Sequence, residues 1–250
     1  MKRAMVVAAI LVAAAAMVAA SDLTETFDQT YALAAGGRVA LENINGDVSV
    51  EVWDRDEVRV YAVKRASSPE RLARLEIEVD ASGDRVLIDT HYPSSRDLSF
   101  EDRHGSSEVE YTLTVPRSAA IDSIDLINGD LTVDGVQGGV EVDSVNGAVV
   151  VRNAAGELEI ETVNGIIEVE LGPALADEVS LSSVNGTIDV FLIGSASVRA
   201  ETVNGRIRND LGIEVRKGKY VGSTMNGDVG GGGPTIDLET VNGGISLGTR

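Results

Sequence analysis

Apolar and polar residues alternate along most of this chain, and the alternation keeps restarting. Leu158 and Ile160 alternate with Glu159 and Glu161. Thr162-Val163-Asn164-Gly165 follows, and then Ile167 and Val169 alternate with Glu168 and Glu170. A period of two is the mark of a half-buried β-strand. Asn tolerates the left-handed region and Gly enters it without steric cost, so Asn-Gly marks a sharp bend between two such strands. The bend occurs at Asn45-Gly46, Asn128-Gly129, Asn146-Gly147, Asn164-Gly165, Asn185-Gly186, Asn204-Gly205, Asn226-Gly227 and Asn242-Gly243. From Asn128 onward the successive Asn residues lie 18, 18, 21, 19, 22 and 16 positions apart. A spacing near twenty with recurring chemistry inside each unit is a repeat architecture.

The register inside the unit is constant. Two residues before the Asn stands Ser144, Thr162, Ser183, Thr202, Thr224 or Thr240. One residue before it stands Val145, Val163, Val184, Val203, Met225 or Val241. Two folds use such a bend. A type I′ hairpin would set Glu161 opposite Glu168, and like charges directly across a ladder are destabilising. A β-solenoid makes each unit one coil of about 18–22 residues and stacks equivalent residues about 4.8 Å apart, which explains why the same residue class returns at the same place. The expected fold class is therefore all-β, a β-solenoid of Asn-Gly coils over residues 117–250. Residues 21–116 form a less regular N-terminal β region that holds a first repeat, Val39 to Val52, and strands sheathing the end of the stack.

Within that region Ser67-Ser68-Pro69-Glu70 opens a short helix, with a Ser cap, an early Pro and an acid in the first turn. Ser94 to Ser107 is polar and reads as a mobile loop. Met1 to Ala20 reads as a secretory leader. Lys2 and Arg3 precede an apolar run, and Val18-Ala19-Ala20 supplies small residues before Ser21. An uncleaved anchor is the alternative, since the run from Ala4 nearly spans a bilayer.

Composition narrows the function. The formal charge of −19 argues against nucleic acid as a partner. The absence of cysteine excludes disulfides and thiolate chemistry. Aromatic residues make up only 4% of the chain, so the core is aliphatic, as thin stacked coils require.

Gly37 to Lys64, Val109 to Gly147 and Gly227 to Leu247 carry these Asn-Gly units in a pattern that resembles the domain-of-unknown-function 4097 family, also labelled as candidate adhesins. The resemblance covers roughly residues 36–248. It implies an exported, right-handed solenoid-like fold and brings no catalytic residue and no cofactor.

Four arrangements bear on chemistry. His91 and His104 are the only histidines and lack an accompanying nucleophile motif. Acids such as Asp143, Glu161, Glu201 and Glu239 return with every coil, as a solvated face does, whereas a catalytic pair needs a local environment that separates its pKa values. Stacked acids suit Ca²⁺, but the glycine-and-Asp nonapeptide of calcium-binding β-rolls is missing, so no metal is expected. The Asn column reads as a structural corner ladder with its side chains turned inward.

Two features point to binding. Arg199, Arg206, Arg208, Arg216, Lys217 and Lys219 cluster in one stretch, and they either neutralise nearby acids or form a landing site for an anionic partner. Strict alternation sends Val145, Val163, Val184, Val203, Met225 and Val241 outward as an apolar stripe, unless the corner turns them into the core. Nothing after Leu247 is long enough to cover the edge of Ile236 to Leu247, so self-association there or through the stripe is expected. The expected function is a non-enzymatic, exported interaction or structural module of the periplasm or cell surface, adhesin-like and without cofactor. Its partner would be an envelope protein or glycan. A polysaccharide-binding or polysaccharide-active protein using an acidic face is the alternative.

Overall fold

Each unit of the repeat except the one at Asn226 folds as two strands joined at Asn-Gly, one strand in each of two facing sheets. The computed structural model describes residues 23–94, 96, 98–172 and 178–249. The leader expected over Met1 to Ala20 lies outside them. The N-terminal strands are β1 (Leu23–Ala32), β2 (Arg38–Asn45), β3 (Val48–Trp53), β4 (Glu57–Ala66), β5 (Glu76–Ser82), β6 (Arg85–His91) and β7 (Ser107–Pro116). A helix, α1 (Pro69–Ala73), precedes β5, with Ser68 as its N-cap. The coils continue as β8 (Ala120–Asn128), β9 (Leu131–Asp134), β10 (Val140–Asn146), β11 (Val149–Ala154), β12 (Leu158–Asn164), β13 (Ile167–Leu171), β14 (Val179–Asn185) and β15 (Ile188–Leu192). The C-terminal strands are β16 (Ala196–Thr202), β17 (Ile207–Asn209), β18 (Val215–Lys217), β19 (Ser223–Val229), β20 (Thr235–Asn242) and β21 (Ile245–Gly248).

The coils stack in parallel and in register. Asn146 falls opposite Asn128 on one side and Asn164 on the other, and Asn164 falls opposite Asn185. Glu161 is flanked by Asp143 and Ser182, so the unfavourable pairing with Glu168 does not form. Among the described residues the result is an all-β body of two long sheets, of ten and eleven strands, parallel through the middle and joined by stacked Asn corners. Inward positions such as Leu158, Ile160, Ile167 and Val169 are at most 1% exposed. They belong to one apolar core that runs from Leu33 to Leu247. Each such Ile or Leu contributes roughly 1.5–3 kcal/mol by burial, and the contributions accumulate along the stack because each coil touches its neighbours.

The glycine of each corner is required by closeness. A Cβ on Gly165 would lie 2.0 Å from the carbonyl oxygen of Gly147, and one on Gly186 would lie 1.7 Å from that of Gly165. Backbone packs directly on backbone there, and no other residue fits.

The order of coils departs from the order of the chain at both ends. In the N-terminal region β2 and β3 lie between the coil of β8 and β9 and a further coil made by β6 and β7. Antiparallel β4, β1 and β5 then close that end. At the other end β20 sits between β14 and β16, and β21 between β15 and β17. The open edge expected at Ile236 to Leu247 is therefore a pair of interior strands. The reason is the segment after β17. It folds as an antiparallel β18–β19 hairpin on the far side of β16, turns through Gly230, Gly231 and Gly232 at positive φ, and returns to fill a position left between β14 and β16.

The polar stretch from Ser94 to Ser107 is fastened where it is described, contrary to the expectation of a mobile loop. Buried Arg71 donates to the carbonyls of Asp102 and Arg103 at 2.8 and 3.3 Å and to Ser107 Oγ at 3.1 Å. Its guanidinium fork satisfies three acceptors at once, and Leu98 tucks in at 4% exposure.

Candidate interaction face

The outer face of the eleven-stranded sheet carries the repeat's exposed chemistry. In Glu161-Thr162-Val163-Asn164 the period of two turns Thr162 inward and leaves Glu161 and Val163 outside. Stacking converts each position into a column. Ile44, Ile127, Val145, Val163, Val184, Val241 and Val203 form an aliphatic column, from 37% exposed at Val145 to 43% at Val184. Beside it runs a column of Glu42, Asp125, Asp143, Glu161, Ser182, Glu239 and Glu201.

Met225 is the exception among the residues expected in the stripe. It is 2% exposed, because β19 is antiparallel and its parity is reversed, so Met225 points into the core opposite Ala200. A one-residue shift in a strand exchanges its faces.

The two columns border an open groove of roughly 500 Å³. Ile44, Ile127, Val145, Val163 and Val184 line its apolar side, and Glu42, Asp89, Asp125, Asp143 and Glu161 its acidic side. A smaller groove of roughly 360 Å³ adjoins it, shares Glu42, Asp89 and Asp125, and adds Glu78 and Asp80. Burial, then Glu159 and Asp143, push the Glu141 carboxyl above its usual range. On the opposite sheet burial and Glu168 do the same to Asp189.

The corner ladder is present, but it lies at the surface. Asn128 Nδ2 donates to Asn45 Oδ1 at 2.9 Å, Asn146 to Asn128 at 2.9 Å, Asn164 to Asn146 at 3.0 Å and Asn185 to Asn164 at 3.0 Å. It continues through Asn242 to Asn185 at 2.8 Å and Asn204 to Asn242 at 2.9 Å. Asn164 and Asn185 are exposed, and the position that turns inward is the hydroxyl residue before them, such as Thr162 at 4% exposure. Asn226 takes no part, since it lies on β19 opposite Arg199. Tyr92 finishes the N-terminal end of the column by donating to Asn43 Oδ1 and the Asn45 carbonyl, both at 2.7 Å, and burial pushes its hydroxyl up to about 12. Sequence reasoning missed this anchor. Tyr92 stands next to a polar stretch and carries no repeat signal.

The basic residues divide by place. Arg199 Nε is 3.7 Å from Asp237 Oδ1. Arg206 and Arg208 are exposed beside and on β17, at the edge of the ten-stranded sheet. Arg216, Lys217 and Lys219 are exposed on the β18–β19 hairpin, at the edge of the eleven-stranded sheet. Among the described residues none of these five has a carboxylate within 4.0 Å, so local neutralisation accounts for Arg199 alone.

His91 Nε2 lies 3.1 Å from Glu78 and 3.7 Å from Asp89, and the hydrogen bond to Glu78 raises its pKa. It is one member of an exposed ion pair on the sheet. Among the described residues no three His, Asp or Glu gather as metal ligands.

The pattern that defines the toastrack DUF4097 family matches residues 29–248. The chain belongs to that family. Among solved structures, a candidate cell adhesion protein of Clostridium sporogenes aligns with this toastrack chain at a TM-score of 0.46 and 14% identity, covering 90% of this chain and 100% of that one. A candidate adhesin of Bacteroides fragilis aligns at a TM-score of 0.34 and 13% identity, covering 90% of this chain and 97% of that one. No curated protein matches the chain.

Proposed function

We propose that this toastrack protein is a non-enzymatic interaction module of the cell envelope, adhesin-like in role, exported by its leader to the periplasm or cell surface. On this reading its coils of 18–22 residues wind right-handed, as the family resemblance implies. The observation that carries the proposal is the aliphatic column from Ile44 to Val203. It crosses six strands of one sheet and the end of a seventh, stays exposed at each position, and runs beside the Asn ladder. Monomers rarely leave so continuous an apolar strip uncovered, and such strips mark contact surfaces.

The polysaccharide alternative fits less well. The groove crosses the coils and is acidic, as that reading requires, but its apolar side is Ile and Val and offers no aromatic ring for a sugar to stack on. The test is capture from envelope fractions on immobilised residues 21–250, beside the Val163→Glu variant. Specific capture lost in a variant of unchanged melting temperature is the expected result. Equal capture by both proteins, or turnover of a polysaccharide, would overturn the proposal.

A further inference from the structure

We infer that the C-terminal end of the stack docks on a bilayer of anionic phospholipid, with the β18–β19 turn entering the headgroup layer first. This place is apart from the aliphatic column, and the inference goes beyond the proposed function.

Folding does not account for the side chains at this turn. Tyr220 is 86% and Val221 66% exposed, against 37–43% along the aliphatic column, where neighbouring coils cover each residue in part. The turn itself is closed. Gly218 N–H donates to the Gly222 carbonyl at 3.0 Å. Gly222, at φ +85°, lies against the end of β16, where a Cβ would be 3.1 Å from the Thr202 carbonyl oxygen. Between the two glycines Lys219, Tyr220 and Val221 are all left exposed.

The charge around the turn is the reverse of the chain's. From Asn204 to Gly222 there are five cations, Arg206, Arg208, Arg216, Lys217 and Lys219, and two acids, Asp210 and Glu214, in a chain of formal charge −19. The cations reach both sheets. Arg206 and Arg208 lie beside and on β17, the last strand of one, and Arg216 and Lys217 on β18, the last strand of the other. Of the acids on the neighbouring strands, Glu201 is two strand positions, or about 10 Å, from β18. Asp228 lies at the far end of β19 and accepts from Ser197 Oγ at 2.7 Å. An anionic plane therefore repels the rest of the body and attracts this end, which sets the orientation of approach.

A bilayer suits this surface better than an acidic protein or a soluble glycan. The turn lines neither groove described above, so it offers no walls to hold a single chain. Its chemistry is that of a membrane boundary. Tyr is enriched where headgroups meet acyl chains, and Lys219 Nζ stays 5.3 Å from the Tyr220 ring. Shallow apolar insertion joined to a basic patch gives reversible binding where either alone is weak. Phe100 shows what other exposed rings lack. It is 79% exposed, but Glu101 and Asp102 follow it directly and oppose an anionic surface.

Co-sedimentation with vesicles tests the inference on residues 21–250, which hold the whole core from Leu33 to Leu247 without the lipid-seeking leader. Phosphatidylcholine with about one-third phosphatidylglycerol should bind about 100-fold more tightly than phosphatidylcholine alone. That preference should fall at least about tenfold between roughly 0.05 and 0.5 M salt. Lys217→Glu with Lys219→Glu should remove it, and Phe100→Ser should change nothing. Tyr220→Ser with Val221→Ser should weaken binding to the anionic vesicles about tenfold and keep its salt dependence. All these side chains are exposed, so melting should not change. In the Tyr220→Trp protein, lipid brominated on its acyl chains should quench the new indole but not Trp53, on β3, six strand positions from β17. Equal binding to both kinds of vesicle, binding that survives the lysine reversal, or an unquenched indole at position 220 would overturn the inference. Dextran sulfate bound as tightly as the anionic vesicles, with no loss on the Tyr220 and Val221 changes, would make a charged polymer the occupant and overturn it too. Val163-dependent capture should persist in every turn variant, so the two readings fail separately.

Discussion

The coils from Val140 to Leu192 and the segment from Ala196 to Leu247 carry the same repeat, yet only the first stacks in chain order. In the first, the three units stack on one another in the order of the chain. In the second, the unit that comes last in sequence lies inside, and the Asn226 unit leaves the coil pattern for an antiparallel hairpin. The difference teaches what a repeat encodes. Corner chemistry fixes how any two coils align, because the Asn ladder runs unbroken from Asn185 through Asn242 to Asn204. It does not say which coil is whose neighbour. That is decided by the hairpin and the glycine turn between them.

The comparison breaks most sharply at the corners. Gly186→Ala should cost at least about 3 kcal/mol or prevent folding, since its Cβ meets a carbonyl that belongs to the neighbouring backbone and cannot withdraw. Gly83→Ala, with nothing within 4 Å, should leave the urea midpoint almost unmoved.

Coil order is tested next. Leu238→Ala should cost about 2–5 kcal/mol, as much as Ile160→Ala, because both are fully buried between two neighbours. A cost for Leu238→Ala below about 1 kcal/mol in urea unfolding would place β20 at an edge and remove the comparison.

The ladder should show a smaller effect. Asn164→Ala removes two side-chain bonds at an exposed corner, so about 0.5–1.5 kcal/mol is expected in chemical denaturation, against almost none for Asn226→Ala.

Most of this was legible in the residues. The parallel register followed from the Glu161–Glu168 conflict, and the outward Val column from alternation. The inward Asn was a misjudgement of the corner: the hydroxyl residue takes the inward position and the Asn side chain stays at the rim. The Asn226 exception was also readable. The coils of Asn146, Asn164, Asn185, Asn204 and Asn242 have an apolar pair six and four residues before the Asn, as Leu158 and Ile160 precede Asn164. In the coil of Asn128 a bulge moves the first of the pair to Ile121. Asn226 has Tyr220 and Gly222 there. Without that pair no inward stripe forms, and the segment is free to reverse. Coil order was not legible, because neighbouring coils offer each other nearly identical edges.

The smallest effect separates stack from N-terminal closure by pH. The hydrogen bond from Arg59 lowers the Asp28 pKa, and that from Arg65 lowers the Glu110 pKa. Depressed carboxyls contribute stability present above their unfolded pKa and lost as pH falls through the folded one. Glu141 and Asp189 are raised, so their contribution has the opposite sign, full below the unfolded pKa and lost as pH rises through the folded one. Acidification below about pH 4 should therefore lower the amide protection factors of β1 and β4 before those of β12. Glu141→Gln should raise the melting temperature slightly at pH 7 and not at pH 3.

The interior place of β20 and β21 sets a schedule for biosynthesis. A ribosome delivers β14 and β16 well before β20, so for that interval the two strands must hold open a slot about 9–10 Å wide, or stay unpaired. Nascent chains of this protein accordingly expose parallel strand edges until residues 235–248 have emerged. An exposed edge is a template for a β20 segment from a neighbouring polypeptide. Partly emerged chains held close together should therefore exchange this segment, and chaperone occupancy should peak after β19 has emerged and fall once β21 is in place.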